Sequence, residues 1–161
     1  MKFFLTIVVC FILNSSYAQT AKLYNPDADV SAAITQGITK AKVEKKHLLL
    51  QIGGNWCPWC IKFHQFCIDD QDINTLISKN YVTIKVNYSK ENRNTAELKK
   101  LEYPQRFGFP VFVILDSNGK RIHTQNSAYL EEEKGYSKKK VFDFLNQWSP
   151  EALNANLYID K

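Results

Sequence analysis

Apolar positions along the chain alternate between helical spacing and strand-like runs. Val30, Ala33, Ile34, Gly37, Ile38 and Ala41 recur at three- and four-residue intervals, and Asn25-Pro26-Asp27 ahead of them reads as a helix start. Lys40, Lys42, Lys45 and Lys46 crowd the far end, where cations suit the helix dipole. His47 to Ile52 is a near-continuous apolar run, the pattern of a strand covered on both faces. Gly53-Gly54 ends it and lets the backbone turn tightly. From Cys57 helical spacing returns, with Trp59, Cys60, Phe63, Phe66 and Cys67 on one side and Lys62, Gln65 and Asp69 on the other. Ile73, Leu76 and Ile77 predict a short helix ending near Asn80. Tyr81 to Tyr88 alternates, with Val82, Ile84 and Val86 on one face, and predicts a strand.

A polar loop, Ser89 to Asn94, precedes a helix from Thr95 to about Glu102. Phe107-Gly108-Phe109-Pro110 leads into the apolar run Val111 to Leu115. Asp116-Ser117-Asn118-Gly119 is a hairpin turn, and Lys120 to Thr124 is the returning strand. Ser137 caps a last helix whose Val141, Phe142, Leu145 and Trp148 face inward, and Pro150 stops it. Leu153 and Leu157 in the tail offer one more docking turn.

The 161 residues, 45% of them hydrophobic, are enough for one domain with a proper core. Lys2, the apolar run Phe3 to Leu13 and the small-residue site Ser16-Tyr17-Ala18 read as a leader over residues 1–18, leaving 19–161 as a single domain. The run is too short to span a bilayer comfortably, which argues against the rival reading of an uncleaved anchor. The product is expected to be exported. The net charge of +5 is partly local to Lys138-Lys139-Lys140. A solvated helix face accounts for that cluster, and no aromatic-interleaved basic patch suggests a nucleic-acid partner. Cys10 leaves with the leader, so Cys57, Cys60 and Cys67 remain. An odd count in an exported protein leaves at least one thiol free or transiently paired, which favours redox chemistry over a structural framework.

Cys57 and Cys60 carry that chemistry. A sulfur at the first turn of a helix sits among unpaired backbone amides at the positive end of the dipole, which favours thiolate. Pro58 fits the same turn, which has no amide partner to lose. Cys60, one turn on, is within reach but faces inward. The pair reads as an exposed attacking sulfur and a sheltered resolving one. Cys67 lies about 10.5 Å further along an ideal helix, beyond disulfide reach, and reads as a buried filler. Cys57, Cys60, His64 and Cys67 superficially form a zinc set, but one helix spreads them too far to close a tetrahedron. His64 is either a proton-transfer group or a partly buried flank residue. Trp56 and Trp59 form an apolar lip for unfolded chain, or Trp59 packs on the core.

In sequence the order is helix, strand, Cys-x-x-Cys helix, strand, helix, hairpin, helix. Together with Trp56-Cys57-Pro58-Trp59-Cys60, Gly108-Phe109-Pro110 and Lys85, it resembles the thioredoxin superfamily, in particular its small exported bacterial members. The resemblance runs from about Asn25 to Trp148. It implies an α/β three-layer sandwich with a central mixed β-sheet flanked by helices. It also implies dithiol–disulfide exchange through Cys57 and Cys60, in the bacterial periplasm or outside the cell. Phe109 and Pro110 would form a cis-proline loop that, with Trp56 and Trp59, holds a peptide substrate. Protein disulfides or dithiols are the implied substrates and a membrane or soluble redox carrier the implied recycling partner. No organic cofactor or metal is implied, and a monomer is expected. The alternative on the same fold is a non-catalytic binding or assembly module. One departure stands out: Gln51 occupies the place of a buried aspartate, so Gln51, Lys85 and His64 are the candidate proton-transfer groups. Lys85 is left to favour a thiolate nearby or to bond the Gln51 carbonyl.

Overall fold

In a computed structural model, which describes residues 22–159, the chain is built around β1 (His47–Gly53), buried along its whole length. The leader expected over residues 1–18 lies outside the described residues. β2 (Tyr81–Asn87) pairs with β1 in parallel, so the chain must cross over between them; α2 (Pro58–Asp69) and α3 (Gln71–Asn80) form that crossover. β3 (Val111–Leu115) pairs antiparallel on the other side of β1, and β4 (Arg121–Asn126) closes the order β2-β1-β3-β4.

Alternation along β1 divides the core. Leu48, Leu50 and Ile52 join Val86, Val111, Val113 and Leu115 against Val30 and Ala41 of α1 (Val30–Glu44) and Leu98 of α4 (Thr95–Lys100). Leu49 joins Phe112 and Ile114 on the opposite face, against Phe63 and Cys67 of α2 and Ile73 of α3. Val141, Phe144 and Leu145 of α5 (Lys138–Gln147) complete that layer. The result is the expected three-layer sandwich with a mixed sheet at its centre. Among the described residues no helix is long and apolar enough to cross a membrane.

Some element edges differ from the sequence expectation. Asn25-Pro26-Asp27 forms a turn in which the Asn25 side chain accepts the Asp27 amide. α1 starts only at Val30, where Asp29 accepts the Ala32 amide at 2.9 Å. α4 stops at Lys100, because Glu102 and Tyr103 take left-handed backbone. In α5, Ser137 holds the cap position without a side-chain cap bond. The inward stripe there is Val141, Phe144 and Leu145, whereas Phe142, expected inside, is 37% exposed. Leu153 and Leu157 do not dock but stay exposed. A two-residue hairpin, β5 (Glu131–Glu132) and β6 (Gly135–Tyr136), has no counterpart in the sequence reading; it lays the Tyr136 ring on Phe63 at 5.0 Å.

The register of α5 is testable. Phe144→Ala should cost about 3–5 kcal/mol of stability, as for a buried aromatic. Phe142→Ala should cost only about 0.5 kcal/mol. Urea midpoints of the two variants decide, and the reverse order would mean that α5 is rotated.

Candidate active site

The loop Gly53-Gly54-Asn55-Trp56 turns β1 into α2. Its two glycines are required for space rather than for unusual backbone angles, since neither has a positive φ. A Cβ on Gly53 would overlap Cys60 Sγ and come within 3.0 Å of the Tyr24 hydroxyl. A Cβ on Gly54 would meet the Trp56 ring and the Tyr88 carbonyl. The first turn of α2 therefore lies directly on the end of β1.

Cys57 is the N-cap of α2, and Pro58 takes the first helical position. Cys57 Sγ accepts the Cys60 amide at 3.1 Å and is disulfide-bonded to Cys60, the two Cα atoms lying 5.3 Å apart. The sequence placed Cys57 at the surface, but it is only 4% exposed and Cys60 is fully buried. Tyr24 packs against both cysteines, and Leu23, Trp59 and Phe109 surround them, which closes the surface over the pair.

On the outer side, the Phe109-Pro110 bond is cis, and Gly108, with a φ of 86°, supplies the left-handed step before it. Phe109 meets the Trp56 ring edge-on at 5.4 Å and stacks on Tyr88 at 4.7 Å. Trp56 stays 54% exposed although its indole N–H donates to the Tyr88 carbonyl at 2.6 Å. Two surface hollows flank it. One of about 370 Å³ is lined by Trp56, Tyr88 and residues of the Ser89–Arg93 loop; the other, of about 230 Å³, lies towards Lys22 and Asn55. Trp59 is half-buried, edge-on to Tyr136 at 5.5 Å with the Lys62 ammonium over its ring.

On the inner side, Gln51 reaches under α2. Lys85 Nζ donates to Gln51 Oε1 at 2.5 Å. Gln51 Nε2 donates to the Cys60 carbonyl at 3.0 Å and to the Tyr24 hydroxyl at 2.7 Å. An ammonium only donates and a carbonyl only accepts, so this amide orientation is the one its neighbours permit. Of the two arrangements open to Lys85 on sequence grounds, the bond to the Gln51 carbonyl is the one formed. Lys85, Gln51, His64 and Cys67 line a hollow of about 260 Å³. Burial holds the Lys85 ammonium down at about 8, against the opposing pull of Cys67. Burial likewise pushes the Cys67 thiol up to about 12, with Lys85 lowering it and Asp70 raising it. Burial, and then the Lys85 charge, depress the His64 imidazole. Cys67 is a buried free thiol. Of the four superficial zinc ligands, two sulfurs are bonded to each other. Among the described residues no group of three or more His, Cys, Asp or Glu is gathered as a metal site.

Tyr24 and Asn55 are absent from the sequence reading. Asn55 Oδ1 accepts the Tyr24 amide at 3.0 Å and its Nδ2 donates to the Tyr24 carbonyl at 2.7 Å, clamping the segment before α1 onto the loop. The sequence signal for that segment is slight, an isolated Leu23-Tyr24 apolar pair ahead of Asn25-Pro26.

The sequence model of the thioredoxin-like domain family matches residues 34–139, well over half of the chain. The chain belongs to the thioredoxin-like family. Among solved structures, the disulphide isomerase of Xylella fastidiosa Temecula1 is similar to it at 25% identity and a TM-score of 0.69, covering 78% of this chain and 95% of that one. The oxidised C-terminal domain of DsbD from Neisseria meningitidis is similar at 18% identity and a TM-score of 0.54, covering 74% and 96%. A thioredoxin from Thermus thermophilus is similar at 15% identity and 0.51, covering 70% and 81%. The last two likenesses show the fold alone. No curated protein sequence matches the chain. With a Cys-x-x-Cys disulfide at the head of α2, this thioredoxin-like protein is a thiol-disulfide oxidoreductase.

The buried ammonium predicts a pH signature. The folded state sheds the Lys85 proton at about 8, whereas the unfolded chain holds it to near 10.5. The unfolded state thus binds more protons between those values, and stability from this group rises with pH there. Wild type should therefore gain stability relative to Lys85→Met as pH rises from 8 towards 10.5, read from urea midpoints of both proteins in the same buffers. Parallel curves would show that Lys85 titrates normally.

Proposed function

We propose that this protein exchanges electrons with the disulfides and dithiols of exported proteins, with Cys57 attacking and Cys60 resolving. The observation that supports the reading best is Cys57 at the head of α2, its sulfur taking a helix amide at 3.1 Å beneath the Phe109-Pro110 loop. In the reducing direction the Cys57 thiolate attacks a substrate disulfide. A bond forms between Cys57 Sγ and one substrate sulfur, and the other leaves with the electron pair and takes a proton from water. Cys60 thiolate then attacks Cys57 Sγ, forming the internal disulfide and releasing the second substrate sulfur, which is protonated in turn. Two electrons pass from the pair to the substrate. Oxidation of a dithiol reverses each step, and relative potentials set the direction. Nothing in these steps calls for a cofactor or a metal.

An extended peptide along Phe109 and Pro110 would rest apolar side chains against Trp56 on one side and Trp59 on the other. The similar Xylella protein is named a disulphide isomerase, which favours protein disulfides as the substrate class. The leader over residues 1–18 would direct a single domain, residues 19–161, to the periplasm of a bacterium, or outside the cell. There a membrane or soluble redox partner would recycle the pair, and the protein would act as a monomer.

The test is turnover of a scrambled or reducible disulfide protein, with Cys57→Ser and Cys60→Ser alongside. Wild type should turn over and Cys57→Ser should not. Cys60→Ser should accumulate a mixed disulfide at Cys57, seen as a heavier band that collapses on reduction. A wild type without turnover, and a Cys60→Ser protein that forms no adduct while Cys57 still reacts with small reagents, would end the exchange reading.

A further inference from the structure

Resolution requires Cys60, the most deeply buried sulfur of the pair, to become a thiolate. Burial opposes that charge, and Gln51, a neutral amide, is no base. The hydrogen bonds beneath α2 run in one direction instead. Lys85 Nζ donates to Gln51 Oε1, and Gln51 Nε2 donates to the Tyr24 oxygen. The second proton of that amide goes to the Cys60 carbonyl. With its oxygen accepting from Gln51, Tyr24 keeps its own proton to donate. Among the described residues, with the pair oxidised, that proton goes to no acceptor. The hydroxyl and Cys60 Sγ both border the space left by the Gly53 side chain, the hydroxyl 3.0 Å from where its Cβ would be and the sulfur nearer still. Tyr24 is 0% exposed and packs with Cys57 and Cys60 in one small cluster.

We infer that Lys85, Gln51 and Tyr24 form a charge-assisted donor chain that ends on Cys60: when the pair is reduced, the Tyr24 hydroxyl donates to Cys60 Sγ and stabilises its thiolate. The proposal rests on the exchange reading above and gives the resolving step its missing stabiliser. Each link polarises the next, because a donor that is itself held by a cation-bound amide donates more strongly. The thiol proton of Cys60 leaves to water. The thiolate then forms the bond to Cys57 Sγ, and the substrate sulfur departs with the electron pair of the broken bond. Tyr24 keeps its proton throughout, and burial raising its phenol above the ordinary range suits it to donate a hydrogen bond without ionising. The other titratable groups facing this region are Lys85 on β2, Tyr136 on β6, and His64 and Cys67 on α2. Tyr136 is occupied, its hydroxyl donating to the Trp59 carbonyl at 3.2 Å.

The experiment mixes reduced protein with one equivalent of dithiobis-nitrobenzoate in a Cys67→Ala background, so that only the pair reacts. Two thionitrobenzoate releases follow. The first reports attack by Cys57, and the second reports resolution by Cys60. Tyr24→Phe keeps the ring and removes only the donor. The first release should be unchanged. The second should slow about tenfold at neutral pH, the scale of one lost hydrogen bond to a charged group, and its pH midpoint should move up. Lys85→Met, which leaves Tyr24 in place, should shift the second release the same way by less. An unmoved second release in Tyr24→Phe, or equal slowing of both releases, overturns the donor chain. Should Tyr24→Phe not fold, an unmoved pH midpoint in Lys85→Met overturns it instead. Loss of the first release in the parent protein would sink the exchange reading itself, which separates the two failures.

Discussion

The site depends on contact between the Cys60 side chain and the backbone at the end of β1. α2 sits so low on β1 that Cys60 Sγ occupies the place where a Gly53 side chain would be. That contact buries the resolving sulfur and leaves Gln51, two residues back on the same face of β1, directly beneath the first turn of the helix. It also makes room for Tyr24, which enters from the segment before α1 and is held there by both polar ends of the Asn55 side chain. Any side chain at position 53 would push α2 outward and separate the Cys60 carbonyl from the Gln51 amide that it now meets at 3.0 Å.

Such tight packing creates an electrostatic problem, which the inner layer resolves without a buried anion. An isolated carboxylate under α2 would be costly to desolvate, while an amide can both accept and donate. Gln51 does so, taking the Lys85 ammonium on its oxygen and serving the Cys60 carbonyl and Tyr24 with its nitrogen. The ammonium is the member under strain, held at about 8 by its burial. It stays beside the hollow shared with His64 and Cys67, so its charge is only partly removed from water.

The layers were legible in the sequence because each rests on periodicity. β1 is apolar apart from His47 and Gln51, β2 alternates, and α2 carries a clean stripe, so the sheet, the crossover and the mixed three-layer order followed from local patterns. The Cys57 and Cys60 pair, the Phe109-Pro110 turn and the Gln51 departure were legible as motifs. What was not legible is what depends on distant contacts. Asn55 and Tyr24 meet across thirty-one positions, and no local pattern marks either. Phe142 and Phe144 both lie close to the apolar stripe of α5; only the meeting of Phe144 with Phe112, at 5.9 Å, decides which one turns inward. The closure over Cys57 was missed for the same reason, since Leu23 and Phe109 come from far along the chain.

Three sulfurs on one helix thus meet three different environments. Cys57 lies at the cap, its sulfur accepting the Cys60 amide, and an aromatic rim of Trp56 and Phe109 borders its outer side. Cys60 has no exposed surface, so under the exchange reading it reacts only with what is already bound to Cys57. Cys67, two turns deeper, is packed with Phe63 and Ile73 and held protonated up to about 12. A thiol that is buried and protonated at neutral pH neither attacks nor resolves. One helix can therefore carry a reactive pair and a third cysteine without scrambling among them. Position along α2 separates Cys67 from the pair, and depth against the sheet separates Cys60 from the substrate.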